Sequence, residues 1–209
     1  VITILWFGGV TNSINWMDGL DGLAAGIAAI LSFGIALFSI LNNQYLVALF
    51  AITLTGCCIG FLKNNFYPSK IMMGDGGSYF LGFVISFLGI FVSFTPVNEY
   101  NSTLLISTVL LISVFLGDMI FVISKRIRSG KSPFFPDRNH LHHRLLNNGF
   151  KHKNAVKIIY LFNILFSLIA ITIYSNTPRN FLFILFLQIM ITSSLIYKSS
   201  SKRNLLAKN

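Results

Sequence analysis

Acidic residues are scarce in this sequence. Of 209 residues six are Asp or Glu, against 16 Lys and Arg, and charged residues of all kinds make up 11%. A soluble domain carries about a quarter charged residues. A water-soluble globule is therefore excluded, and a mean hydropathy of +0.72 makes lipid the solvent for most of the chain. Cysteine is nearly absent too. Cys57 and Cys58 are adjacent inside an apolar run. They offer no disulfide framework and no metal-ligand spacing, and are expected to pack as small apolar side chains. The opening run is not expected to be a signal peptide either. The opening run Val1 to Val10 is apolar but has no basic region and no small-residue cleavage site. It is about half the length of a membrane span. It reads as the back half of a helix, and the sequence as the C-terminal portion of a larger membrane protein.

What is present is a series of long apolar runs. A span needs roughly 20 apolar residues. Leu23–Leu41, Leu46–Leu62, Tyr79–Val97, Thr103–Ile123, Ala155–Ser175 and Phe181–Tyr197 qualify. Only helices satisfy every backbone group in such runs. The expected fold is all-α: a polytopic transmembrane helix bundle of six full spans and one partial. It forms a single domain over residues 1–197, with loops at 11–22, 63–78 and 124–154, followed by a basic tail at 198–209.

Lys and Arg set the orientation. With the 11–22 loop placed in the cytoplasm, the connections alternate and only Arg179 of the 16 basic residues falls outside. Lys157 lies just within a span, where its stem can snorkel. The formal charge of +10 thus belongs to the cytoplasmic face. Anionic headgroups and anionic substrates explain it better than nucleic acid does. The three polar motifs fall on that same face, and charges beside membrane spans usually mark function.

The first motif is Asn12-x-x-Asn15-x-x-Asp18-Gly-x-Asp21-Gly-Leu-Ala-x-Gly26. Asn12, Asn15 and Asp18 step by three, as do Asp18 and Asp21, which puts them on a common helical face. Gly19 and Gly22 permit a break before the next span. The amides that start that span would face this loop as an anion site. The plain alternative is a capped helix start with solvated carboxylates. The second motif runs from Pro68 through Lys70 to Gly74-Asp75-Gly76-Gly77-Ser78, with Asn64 and Asn65 just before it. Its glycines are expected to form a tight loop with Ser78 capping the following span. Asp75 then suits a hard cation bound to phosphate oxygens, or only the dipole of the helix it starts.

The third element is Pro133-Phe134-Phe135-Pro136-Asp137-Arg138-Asn139-His140-Leu141-His142-His143-Arg144-Leu145. Its histidines first suggest zinc, with His140 and His143 on one helical face. No Cys or Glu stands at ligand spacing, so an anion-contacting loop with Arg138 and Arg144 is preferred. A solvated basic loop is the bland alternative. Asp118, within an apolar run, is either a helix–helix hydrogen-bond partner or a site residue.

In order and spacing, these three motifs, with Phe61-Leu62-x-x-Asn65-x-x-Pro68 leading the second and Ser132-Pro133-Phe134 the third, resemble the polyprenyl-phosphate N-acetylhexosamine-1-phosphate transferases. These are glycosyltransferase family 4-like proteins. The resemblance covers about Val1 to Gly149. The His-Leu-His-His-Arg stretch looks most like the bacterial undecaprenyl-phosphate GlcNAc-1-phosphate transferases. Those start O-antigen, lipopolysaccharide, enterobacterial common antigen or teichoic acid carriers. It looks less like the phospho-MurNAc-pentapeptide transferases of peptidoglycan synthesis.

The resemblance implies that a polyprenyl (undecaprenyl) phosphate attacks the β-phosphorus of a UDP-N-acetylhexosamine and UMP leaves. It implies Mg²⁺, with Mn²⁺ as a substitute, bound by Asp75 with Asn15. It places Asp18, Asp21 and Asp75 in the catalytic cluster, and Asp21 and Asn65 at the uridine. Asn12, Asn15, Arg138, His140, His142, His143 and Arg144 complete the nucleotide- and sugar-binding set. It further implies a homodimer in the bacterial inner membrane, surrounded by membrane lipids, with the active site on the cytoplasmic face. One departure matters. The family's upstream Asp-Asp-rich motif has no counterpart here, so the chain by itself is expected to be inactive. A multi-pass transporter is the reading from another class, but transporters put polar groups near the bilayer midplane and these span centres are apolar. A non-catalytic paralogue is the third.

Overall fold

The computed structural model describes residues 1–93 and 102–175, without the side chains of 102–103 and 172–175. The described residues form seven helices and no strand: α1 Ile2–Met17, α2 Leu23–Leu41, α3 Tyr45–Asn65, α4 Gly74–Phe91, α5 Ser102–Arg128, α6 Leu141–Asn147 and α7 His152–Ser175. Five of them, α2 to α5 and α7, are long and apolar enough to cross a membrane. They match five of the six full spans expected. The sixth, 181–197, and the tail 198–209 lie outside the described residues. The chain is a polytopic helical membrane bundle.

Four boundaries differ from expectation. α4 ends at Phe91, short of Val97, and α5 runs past Ile123 to Arg128. The helix expected to end near Val10 runs on to Met17, so Asn12 and Asn15 ride on α1 while Asp18 sits at its C-cap. The glycines expected to form a tight loop before Tyr79 are instead the first turn of α4, and only Gly74 takes a left-handed φ, +68°. Ser78 therefore lies inside α4 and caps nothing. The reason is a partner: Ser78 accepts a hydrogen bond from the Asn15 side chain across the α1–α4 interface, at 2.9 Å.

That interface is an antiparallel crossing. The Trp6 indole donates to the Ser86 carbonyl at 2.9 Å, and the Phe7 and Phe83 rings lie 5.3 Å apart. One turn later Thr11 meets Gly82, and another turn on Asn15 meets Ser78. A Cβ on Gly82 would stand 2.6 Å from the Thr11 Cα. Only glycine allows the two backbones to approach this closely.

α2 is the central helix. Its side chains are buried nearly all round, and it packs on α3 along one side and α7 along another. Ala24, Ala25, Ala28, Ala29 and Ala36 keep it slim, as close packing inside a membrane requires. Ser32 and Thr55 hydroxyls, 2.8 Å apart, join α2 to α3. The outer side of α3 exposes Leu46, Leu49, Phe50 and Ile59, a surface suited to acyl chains rather than water. Helix ends alternate, so the ends of α1, α3 and α5 and the starts of α2, α4 and α7 gather at one face of the bundle with the polar motifs.

Gly82→Ala is expected to force α1 and α4 apart and to cost about 1–3 kcal/mol, the usual penalty for an added methyl without room. Thermal unfolding of the detergent-solubilised protein measures it. A melting temperature equal to that of the parent would show that the helices reseat freely.

Candidate functional site

The crossing of α1 and α4 delivers the first polar cluster. The Asn15 amide donates to the Asp75 carboxylate at 3.1 Å as well as to Ser78. Asp18, one residue past α1, lies close enough to Asp75 to feel its charge. Burial, and then that negative neighbour, push the Asp18 carboxyl above its ordinary value. Two carboxylates repelling each other at a helix junction favour a cation between them. Mg²⁺ binds through one or two carboxylates and completes its shell with water and phosphate oxygens. Asp18 and Asp75 fit that donor set, and Asn15 holds Asp75 in place. Among the described residues no group of three His, Cys, Asp or Glu side chains forms a cage that could hold a metal alone. Asn12 stands apart from the cluster and donates to the Gly8 carbonyl, 2.7 Å away within its own helix.

The second group braces the loops. The buried Asn65 side chain accepts from the Gly22 amide at 3.0 Å and donates to the Ile71 carbonyl at 2.8 Å. Asp21 accepts from the Ser69 amide at 3.0 Å. Gly22 turns the chain into α2 with a φ of +79°, a conformation that glycine adopts without strain. The Tyr160 hydroxyl of α7 donates to the Gly22 carbonyl and occupies the place that a Gly26 side chain would take. The amides at the start of α2, expected to await an anion, are thus partly engaged: Gly22 by Asn65 and Leu23 by the Leu20 carbonyl at 2.9 Å.

The third group is the histidine segment. His140 precedes α6 as its N-cap with extended backbone, so His140 and His143 do not share a helical face. His142 is 1% exposed and neither ring nitrogen has a partner among the described residues. Its Nε2 occupies the space beside Gly19, where a Cβ would be 2.3 Å away. Burial, and then the charges of His143, His140 and Arg144, hold its imidazole down at about 3. His143 is lowered as well, by burial first and then by His140 and the exposed Arg138. Arg144 is buried, bound to Asp118 at 3.0 Å and lying over the Phe121 ring at 4.4 Å.

Several contributors carried no sequence motif. Arg126 near the end of α5 pairs with Asp137 at 3.0 Å and lies over the Trp16 ring at 5.0 Å. Trp16 in turn meets the His140 ring at 5.6 Å. Burial raises the Asp137 carboxyl, but hydrogen bonds from Arg126 and Asn139 outweigh it and bring the group down to about 2. Lys125 donates to Asn139 at 2.7 Å. Lys125 and Arg126 stood in the sequence only as part of the basic end of an apolar run. Nothing in the sequence announced Tyr160 as the brace of Gly22.

The motif residues therefore meet at one end of the bundle, in an arrangement that suits a metal-bearing phosphorylated ligand. Residues 1–93, which hold the Asn15, Asp18 and Asp75 cluster, match the sequence profile of glycosyl transferase family 4. The matched residues, somewhat less than half of the chain, are similar to glycosyl transferase family 4. The chain is 38% identical over 189 residues to a probable undecaprenyl-phosphate N-acetylglucosaminyl 1-phosphate transferase of Bacillus subtilis (strain 168), a match covering 90% of this chain and 52% of that protein. It is 39% identical over 189 residues to a decaprenyl-phosphate N-acetylglucosaminephosphotransferase of Mycobacterium leprae (strain TN), covering 82% of this chain and 47% of that one. A phospho-N-acetylmuramoyl-pentapeptide-transferase of Prochlorococcus marinus (strain MIT 9515) is 33% identical over 175 residues, with coverage of 80% and 46%. The chain spans about half the length of the curated relatives it matches.

The buried neutral His142 makes the chain sensitive to acid. An unfolded histidine takes up a proton near pH 6.5, whereas the folded one resists until about 3. Below pH 6.5 the unfolded state binds more protons, so stability falls by about 1.4 kcal/mol per pH unit until pH 3, from this residue alone. Melting temperatures of the parent and His142→Gln between pH 7 and pH 5 test this. The variant should lose less stability on acidification, and parallel curves would contradict the assignment.

Proposed function

We propose that this chain carries the donor-handling part of an enzyme that transfers GlcNAc-1-phosphate from UDP-GlcNAc to a polyprenyl phosphate and releases UMP. The observation that carries the reading is the close placement of Asp18 and Asp75, steadied by Asn15, at the membrane end of an antiparallel helix pair. The names of the Bacillus and mycobacterial relatives support the same transfer and the same sugar. A diphosphate donor brings oxygens that need a divalent cation. Mg²⁺, when bound, neutralises charge that builds on the phosphates as UMP departs.

The chain's own residues supply position and polarity. Asp75 and Asp18 would hold the ion, and Asn15 fixes the direction in which Asp75 points. Asp21 and Asn65 shape the uridine side through the loops they brace. Arg138, His140, His142, His143 and Arg144 line the sugar and diphosphate side. The acceptor phosphate oxygen forms a bond to the β-phosphorus of the donor, and the bond from that phosphorus to the oxygen of UMP breaks. The basic residues of the 124–154 connection support a cytoplasmic face for this site by the positive-inside rule, in what would be a bacterial inner membrane. There the reaction would begin a cell-surface polysaccharide such as O-antigen, lipopolysaccharide or teichoic acid. The full protein would work as a homodimer. A second reading, transfer of phospho-MurNAc-pentapeptide, is favoured by the Prochlorococcus relative, and a change of donor in the same assay separates the two.

The test uses membranes carrying the protein at full length, with radiolabelled UDP-GlcNAc, polyprenyl phosphate and Mg²⁺. Label should enter lipid and leave again when UMP is added. Chelation with EDTA should stop transfer. Asp75→Asn should insert normally and lose roughly two to three orders of magnitude in turnover. Parental turnover in that variant would remove Asp75 from the metal site. Absence of lipid label with either donor would remove the proposed activity.

A further inference from the structure

Asp118 lies in α5, an apolar helix, and is 3% exposed. A buried carboxylate in such surroundings is costly unless it is fully bonded. This one accepts three hydrogen bonds from a single segment: His140 Nδ1 at 2.8 Å, the Leu141 amide at 2.7 Å and Arg144 Nη2 at 3.0 Å. A carboxylate only accepts, so the His140 proton facing it is on Nδ1. In the neutral ring, Nε2 is then the accepting nitrogen, and the carboxylate also fixes the plane of the ring. The Leu141 contact anchors the first amide of α6, a donor that a helix leaves unsatisfied.

The grip leaves useful groups open. Asp118 engages one end of the Arg144 guanidinium, while Nε and Nη1 remain buried with no partner among the described residues, as do both nitrogens of His142. The same helix reaches the segment a second time, two turns on, where Arg126 holds Asp137. Trp16 connects this bracket to α1, since it touches both His140 and Arg126. Asn15, which orients Asp75, is its neighbour on α1.

We propose that Asp118 is a positioning residue for the transfer reaction: its buried carboxylate fixes the Nδ1–H form of His140 and the placement of Arg144, and through them seats the histidine segment against the Asp18–Gly19 turn. This rests on the functional reading above for its catalytic consequence, and on geometry alone for the state of His140. The role belongs to the anionic diphosphate of the donor, because the groups that Asp118 positions are the cationic and polar ones.

The experiment makes Asp118→Asn and Asp118→Glu in the full-length protein. Amount in the membrane and melting temperature report folding. Steady-state assays with UDP-GlcNAc and undecaprenyl phosphate report function, and ¹⁵N-histidine NMR in detergent, assigned with His140→Ala, reports the ring. The parent should show His140 protonated at Nδ1. Folded Asp118→Asn should lose that signature and about 30- to 100-fold in kcat/KM for the donor, the range that a small misplacement produces. Its KM for the lipid acceptor should stay within about twofold, because Asp118 positions only donor groups. Asp118→Glu, which keeps the charge, should recover part of both effects.

If Asp118→Asn fails to accumulate, the double variant Asp118→Asn/Arg144→Gln, which removes the unpaired buried charge, takes its place and the His140 signature decides. A folded Asp118→Asn protein with parental donor kinetics overturns the proposal. So does a parental His140 that is protonated on Nε2 alone. A parent that transfers no GlcNAc overturns the functional reading instead, and the NMR result still stands by itself.

Discussion

The backbone contact between Thr11 and Gly82 is the constraint on which the site depends. Helices in lipid gain little by hiding apolar surface from one another, because lipid is equally apolar. They associate where their surfaces fit, and the missing side chain at Gly82 makes the fit between α1 and α4. From that point the antiparallel geometry dictates the rest. One turn further along α1 is Asn15, and one turn back along α4 is Ser78, so the amide meets both Ser78 and Asp75. Asp18 follows where α1 ends. The acidic pair is therefore a product of helix packing, reached without any flexible loop bringing the two carboxylates together.

The other two polar groups serve the same end of the bundle by different means. The α1–α2 and α3–α4 connections are cross-braced through Asn65 and Asp21, each bonding to backbone rather than to another side chain. Such bonds fix the path of the chain whatever the neighbouring side chains are. The histidine segment is held from α5 by two ion pairs of opposite sense, the buried Asp118 toward Arg144 and Arg126 toward the partly buried Asp137. Buried pairs of this kind add little net stability, and their value lies in specifying one arrangement. The proposed site, with phosphates and an ion at fixed distances, would benefit from that specificity.

Much of the fold was legible in the sequence, because a lipid solvent imposes one simple rule. Apolar runs of span length become helices, and the starts of α2, α3, α5 and α7 came close to those runs. The polar motifs were also found, since a carboxylate beside a span stands out against apolar neighbours. What was not legible were features set by contacts between distant segments. The extension of α1 to Met17 and the early start of α4 at Gly74 follow from their mutual packing. The glycine-rich stretch Gly74–Gly77 reads locally as a loop, yet it forms helix against a partner 60 residues upstream. Arg144 was expected to face an anion, and it is tied to Asp118 because a buried carboxylate needs a cation nearby. Tyr160 lies within an apolar run, and its task is visible only when Gly22 and Gly26 are placed beside it.

The contact between Gly19 and His142 has a consequence for how such a protein can change over time. The imidazole fills the volume that any side chain at position 19 would need. The two positions are far apart in the chain yet share one small space, so neither can drift independently. A bulkier residue at 19 becomes acceptable only after the ring at 142 has given way to something smaller. Of the two changes, the shrinking one must come first, and the lineage passes through a form with a void beside the acidic turn.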